Sequence, residues 1–204
     1  RLEAFAAAQG AVLHLGLIAA LGEEPQWTEA GPPLRYATAP DGPVLEFQPW
    51  HFTQANRGVN RALIAAVLAQ LAPGPDDHVL ELFCGLGNFT LPLATRAARV
   101  TGVEGDAALL DWARRNARAN GLANTEFVAA DLALAPAGAA WARARYDLVL
   151  LDPPRSGAAA LLPALARLGA RRIAYVSCDA ATLARDAAVL CARGLDAEHA
   201  IAEV

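Results

Sequence analysis

Lysine and methionine are both absent from this 204-residue chain, and cysteine occurs only three times. With no lysine, all 17 basic residues are arginine; against 21 acidic residues they leave a net charge of −4. The arginine bias reads as GC-rich coding. The negative balance gives no global basic footprint for nucleic acid, which weakens a nucleic-acid partner unless another domain supplies the basic surface. Lacking methionine and opening on Arg1, the chain is expected to be a piece of a longer protein. Cys84, Cys178 and Cys191 form no CxxC pair, which fits a reducing compartment and leaves room for a reactive thiol. His14, His51, His78 and His199 are scattered without metal spacing, so no metal site is expected. No apolar run reaches the roughly 18 residues of a membrane span, and no signal peptide is visible. A cytoplasmic, monomeric protein with no membrane partner is the expectation.

What is present is an apolar majority, 55% hydrophobic against 19% charged, as in a globular chain. The length suggests one main domain with a small appendage, divided as residues 1–46, a partial hairpin subdomain, and 47–204. The front portion carries a short helical pattern at 2–9, a strand pattern at 11–18, and strands at 34–37 and 44–47 about an Asp41-Gly42-Pro43 turn. Val59, Leu63, Val67 and Leu71 repeat at helical spacing within 56–71, and Pro73-Gly74-Pro75 stops that helix. Strands then alternate with helices: strands 79–83, 99–103, 125–129, 147–151 and 171–176, helices 88–97, 107–120, 158–168 and 180–193. Residues 132–144 are helical or irregular, and a last strand begins near 196. Such alternation predicts an α/β, Rossmann-like parallel sheet with helices on both faces.

Open sheets of this kind bind ligands at the carboxyl ends of their strands. The first such end is Val79-Leu-Glu-Leu-Phe-Cys-Gly-Leu-Gly-Asn-Phe-Thr90, a buried strand breaking into a glycine turn and a helix start. The turn lets backbone N–H groups approach a ligand closely. About twenty residues on, a second strand ends in Glu104, where nucleotide-binding folds hold ribose hydroxyls. The dinucleotide fingerprint wants a small residue where Thr90 stands, which favours S-adenosylmethionine over a nicotinamide cofactor. Asp131 follows the third strand. Asp152-Pro-Pro-Arg155 follows the fourth, with two prolines fixing the backbone and an Asp and an Arg able to read a planar base. The fifth runs directly into Cys178, just ahead of a helix start, where a thiol is a candidate nucleophile. Cys84 is expected to pack beside or border the cofactor, and Cys191 to lie in the core.

Taken together, Phe52-Thr-Gln-Ala-Asn56, Gly58-Val-Asn60, Leu82-Phe-Cys-Gly-Leu-Gly-Asn-Phe-Thr90, Gly102-Val-Glu-Gly105, Leu151-Asp-Pro-Pro-Arg-Ser-Gly157 and Val176-Ser-Cys-Asp-Ala-Ala-Thr-Leu-Ala-Arg-Asp186 resemble the catalytic domain of the bacterial RNA 5-methyluridine methyltransferases. The form of the glycine turn and of the last segment is closer to the 23S rRNA branch than to the tRNA branch. The resemblance implies a class I S-adenosylmethionine-dependent methyltransferase domain over 47–204. It implies that Gln54, Phe83, Gly85, Asn88, Glu104, Asp131 and Asp152 line the cofactor site, with Asp152 and Arg155 toward the substrate base. It also implies that Cys178 attacks carbon 6 of uracil, with RNA as the partner. The family's proton-abstracting Glu lies in a segment beyond Cys178 that this chain is expected to lack, together with the last sheet strands. An N-terminal oligonucleotide-binding barrel and, in some members, an iron–sulfur cluster are likewise expected only in the parent. The alternatives are a tRNA uridine as target, or methylation of a nucleobase exocyclic amino group through the Asp-Pro-Pro-Arg loop without a cysteine.

Overall fold

The structure is a computed structural model that describes residues 32–136 and 138–193, together with the short strands 16–17, 26–27 and 201–202. The expected helix at 2–9 lies outside the described residues. The chain divides into two compact units, Arg1–Arg35 with Glu46–Thr53, and Tyr36–Leu45 with Gln54–Val204.

Strands β1 (Gly16–Leu17) and β2 (Gln26–Trp27) pair antiparallel. Strands β3 (Leu34–Ala37) and β4 (Val44–Phe47) form a second two-stranded sheet. Its turn is closed by the Thr38 amide donating to the Pro43 carbonyl at 3.0 Å. Both strands of this hairpin fall where the alternating pattern places them.

The larger unit opens with helix α1 (Arg57–Leu71), whose first free amides, on Gly58 and Val59, are capped by the Asn56 side chain. It ends at Ala72 in the left-handed region, φ 45°, just ahead of Pro73. Leu63, Val67 and Leu71 of the helical repeat are buried, whereas Val59, in the exposed first turn, is not.

Six parallel strands follow: β5 (His78–Leu82), β6 (Arg99–Glu104), β7 (Thr125–Ala129), β8 (Leu148–Leu151), β9 (Arg172–Ser177) and β10 (Ile201–Ala202). Their order is β10-β9-β8-β5-β6-β7. The chain runs outward from β5 through β6 to β7, then returns to β8 on the other side of β5 and continues outward. The reversal point lies between β5 and β8, where Leu82 stands opposite Leu151. That is where an open α/β sheet forms its ligand crevice.

Alternation along the strands feeds two cores. Val79, Val100, Leu148 and Leu150 pack with Leu63, Ile64, Val67 and Leu71 of α1. Leu80, Leu82, Val149 and Leu151 pack on the opposite face with Leu161, Leu162, Leu165 and Leu183. Each such leucine taken out of water stabilises the fold by about 1.5–3 kcal/mol.

Four further helices are α2 (Thr90–Ala94), α3 (Ala107–Ala119), α4 (Leu162–Leu165) and α5 (Ala180–Cys191). Helices α2 and α4 are shorter than the apolar pattern suggests. Around α4, i to i+3 bonds, as in Leu161 to Ala158, Ala164 to Leu161 and Arg167 to Ala164, flank and mix with the i to i+4 bonds of Leu165 to Leu161 and Ala166 to Leu162. Only a short α-helical core is left between tight turns. Cys191 is exposed, contrary to the expected core position. Leu183, Asp186 and Leu190 make the buried stripe of α5, and Cys191 is rotated about 100° from Leu190. Among the described residues, no helix is long and apolar enough to cross a membrane.

Candidate active site

The glycine turn is bolted to the neighbouring strand. The amides of Phe83 and Cys84 both donate to the Val103 carbonyl, at 2.9 and 3.2 Å. Phe83 itself has φ +65°, an uncommon conformation for a bulky residue. Gly85 follows with φ +51°, and a Cβ placed on it would meet no atom within 4 Å. The turn therefore presents bare backbone to open space.

Glu104, half-buried at the end of β6, faces that turn. Its Oε2 accepts from the Gly85 amide at 3.1 Å. Its Oε1 accepts from the amides of Gly105, at 2.7 Å, and Asp106, at 3.1 Å. Three backbone donors thus fix the carboxylate in one orientation. The Ala130 amide donates to the Glu104 carbonyl at 3.0 Å and brings the loop after β7 alongside. There Asp131 is exposed, its Oδ1 taken by the Ala133 amide.

Asn88 has a different task from its neighbours. Its amide pairs reciprocally with that of Asn60 on α1, at 2.9 and 3.0 Å, and its oxygen also accepts from the Tyr36 hydroxyl at 2.8 Å. The side chain holds the turn to α1. Gln54 lies half-buried two residues ahead of the α1 cap.

On the far side of β5, the Asp152 amide donates to the Leu82 carbonyl at 3.4 Å, so the acid stands directly beside the end of β5. The Asp-Pro-Pro-Arg segment then turns through a Pro154 carbonyl to Gly157 amide bond of 2.8 Å. Pro153 is buried and Arg155 is exposed.

Cys178 is exposed between Ser177, the last residue of β9, and Asp179, the cap of α5. The Ser177 hydroxyl donates to the Asp179 carbonyl at 3.0 Å and accepts from its amide at 3.1 Å. The Asp179 side chain accepts from the Thr182 amide at 2.8 Å. That bond, helped by the Arg155 guanidinium, holds its carboxyl below the usual range. The Asp-Pro-Pro-Arg loop and the cysteine turn are therefore electrostatic neighbours. Cys84, by contrast, is buried. Burial, then the charges of Glu81 and Glu104, push its thiol well up, which suits packing and not nucleophilic attack. A Cβ on Gly102 would lie 2.9 Å from its sulfur, so that glycine makes room for the thiol.

Glu81, inside β5, was not singled out from the sequence, although a charged residue amid an apolar strand is the signal. It is fully buried, and the Thr90 hydroxyl donates to its Oε2 at 2.5 Å. Among the described residues its Oε1 has no hydrogen-bond partner. Burial first, then the charges of Asp152 and Glu104, push its carboxyl up to about 8. Three carboxyl groups, Glu81 inside β5, Glu104 at the end of β6 and Asp152 just past β8, converge on the end of β5.

Residues 44–201 match the family described as tRNA (uracil-5-)-methyltransferase. The chain belongs to this family. Among curated family relatives, the 23S rRNA (uracil(1939)-C(5))-methyltransferase RlmD of Alkalilimnicola ehrlichii is 55% identical over 157 residues. The match covers 77% of this chain and 35% of the relative. The enzyme of the same name from Pseudomonas aeruginosa strain UCBPP-PA14 is 48% identical over 194 residues, 95% of this chain and 42% of the relative. The chain thus spans less than half the length of these relatives. Among solved structures, the Pyrococcus abyssi tRNA (uracil-54, C5)-methyltransferase in complex with S-adenosyl-L-homocysteine superposes with a TM-score of 0.66 at 28% identity, covering 82% of this chain and 39% of the other. The precorrin 8W decarboxylase of Methanobacterium thermoautotrophicum shares the fold alone, with a TM-score of 0.58 at 21% identity.

Proposed function

We propose that this chain is the cofactor-binding and catalytic region of a cytoplasmic 23S rRNA uracil-C5 methyltransferase, with Cys178 as its nucleophile. The observation that carries the reading is an exposed thiol at the carboxyl end of β9, in the same row of loops as Asp152, the glycine turn and Glu104. The RlmD relatives support 23S rRNA as the substrate, and the structural relative bound to S-adenosyl-L-homocysteine supports S-adenosylmethionine as the donor.

The residues suit that donor. Open space beside Gly85 admits a ligand against the backbone, and Glu104, held by three amides, offers remaining lone pairs to ribose hydroxyls. Glu104, Asp131 and Asp152 together make a negative crevice for a ligand that carries a sulfonium and an ammonium. Gln54 and Phe83 complete the lining, and Asn88 contributes by holding the turn in place. Bound there, S-adenosylmethionine supplies an electrophilic methyl group.

Carbon 5 of uracil is too weak a nucleophile to take that methyl unaided. The Cys178 thiolate bonds to carbon 6, and the electrons of the 5,6 double bond move toward carbon 5 as an enolate. After carbon 5 is methylated, a base removes its proton, the double bond re-forms and the thiolate leaves. The base must be out of any stack to reach the cysteine. Asp152 and Arg155 face it from the neighbouring loop.

Full-length protein incubated with S-adenosylmethionine and 5-fluorouridine-containing rRNA should form a covalent adduct, because fluorine blocks the final elimination. The Cys178→Ala variant should form none while still binding S-adenosylhomocysteine. An undiminished adduct in that variant would overturn the assignment of Cys178.

A further inference from the structure

The two loops that carry Asp152, Arg155 and Cys178 come from different strands, and one buried acid joins them. Asp186, on α5, is fully buried. Its Oδ2 accepts from the Ala158 amide at 2.8 Å and from the Tyr175 hydroxyl at 2.7 Å. Its Oδ1 accepts from Arg185 Nε at 2.8 Å and Nη2 at 2.7 Å. The same Arg185 Nη2 donates to the Ser156 carbonyl at 2.9 Å. Ser156 and Ala158 bracket the end of the Asp-Pro-Pro-Arg-Ser-Gly loop. Tyr175 lies on β9, three residues before Cys178, and stands opposite Leu151, the residue before Asp152.

The contact is tight. Between the two anchored residues, Gly157 adopts φ +81°. A Cβ there would fall 2.4 Å from Thr182 Cγ2, 2.6 Å from Arg185 Nη2 and 2.6 Å from Asp186 Oδ2. The loop backbone is pressed onto the first two turns of α5, whose cap adjoins Cys178. Burial alone would raise the Asp186 carboxyl. The Ala158 amide, the Tyr175 hydroxyl and Arg185 together bring it below the usual value, so the ionised form is the one the clamp holds.

We propose that Asp186, with Arg185, is a positioning residue that fixes the Asp152–Arg155 loop against the Cys178 turn, so that the base and the thiol meet in attacking geometry. The proposal rests on the function given above. It adds a group that touches neither base nor cofactor and acts only through the two loops it ties. Reaction geometry displaced by about 1 Å can cost as much as a hundredfold in rate. The cofactor side of the crevice, made by β5 and β6, has no bond to Asp186 among those the structure gives.

The test uses full-length Asp186→Asn, which keeps the side chain's shape, and Arg185→Ala, whose side chain is half exposed and can be removed without opening a cavity. Expected for Asp186→Asn is a fall of about 10- to 100-fold in the single-turnover rate and in the rate of adduct formation with 5-fluorouridine RNA. S-adenosylhomocysteine affinity should change less than about threefold, since a general structural defect would lower both. Arg185→Ala should show the same pattern at roughly a third of the logarithmic size. Adduct formation at the wild-type rate in both variants would overturn the inference. So would a rate loss matched by an equal loss of cofactor affinity. Failure of the wild type itself to form an adduct would instead overturn the proposed function, and this inference with it.

Discussion

Two left-handed glycines, one on each flank of the crevice, serve opposite ends. Gly85 on the β5 flank borders open space, with no atom of the described residues within 4 Å of where a Cβ would stand. Gly157 on the β8–β9 flank is walled in by Thr182, Arg185 and Asp186. The first glycine keeps backbone available to a ligand, and the second lets two pieces of protein close on each other. The flanks are also secured differently. Backbone amides and Glu104 hold the cofactor side, whereas buried Asp186 and its partner Arg185 tie the loop on the side that carries Cys178.

The largest expected effect that separates them is on stability. Gly157→Ala puts a Cβ in the disfavoured region and into three side chains at once, and should cost about 2–4 kcal/mol in urea denaturation. Gly85→Ala carries only the conformational part, about 1–2 kcal/mol. Its signature should instead be a roughly tenfold weaker S-adenosylhomocysteine affinity by calorimetry. Equal stability losses in the two variants would mean that the two glycines do not differ in this way.

The effect that separates the flanks least concerns Glu81, which lies between them and feels Asp152 on one side and Glu104 on the other. Its folded value of about 8 is above the ordinary 4.5, so between those limits the unfolded chain gives up a proton that the folded protein keeps. Wild-type stability should therefore fall, relative to Glu81→Gln, as pH rises from 4.5 toward 8, by at most about 1.4 kcal/mol per pH unit. Above that window the difference should level off. Thermal melts of both proteins between pH 5 and 9 measure it, and parallel profiles would show that Glu81 is ionised in the fold.

Much of this was legible in the sequence. The strand at 125–129 and the hairpin strands 34–37 and 44–47 follow from alternation and turn residues, and the glycine turn and Cys178 lie where strand ends place them. The short extents of α2 and α4 were not legible, because an Ala/Leu-rich stretch keeps the same apolar spacing in a regular helix and in the turns that flank one. Nor was the partnership of Asn88 with Asn60, or of Asp186 with Ala158. Each spans 28 residues and depends on which strands the sheet makes adjacent, which no local pattern encodes. Glu81 was visible as a residue but not as an uncharged one, since its state comes from burial and from two acids at the ends of neighbouring strands.

The sorting of the three thiols has a redox consequence. Cys84 is shut away, while Cys178 and Cys191 are both exposed, at opposite ends of the 12-residue α5. That helix separates them by about 18 Å, far beyond the span of a disulfide. Oxidation of Cys178 therefore has no protective partner at Cys191. It leads to sulfenic acid and onward, or to a mixed disulfide with another molecule.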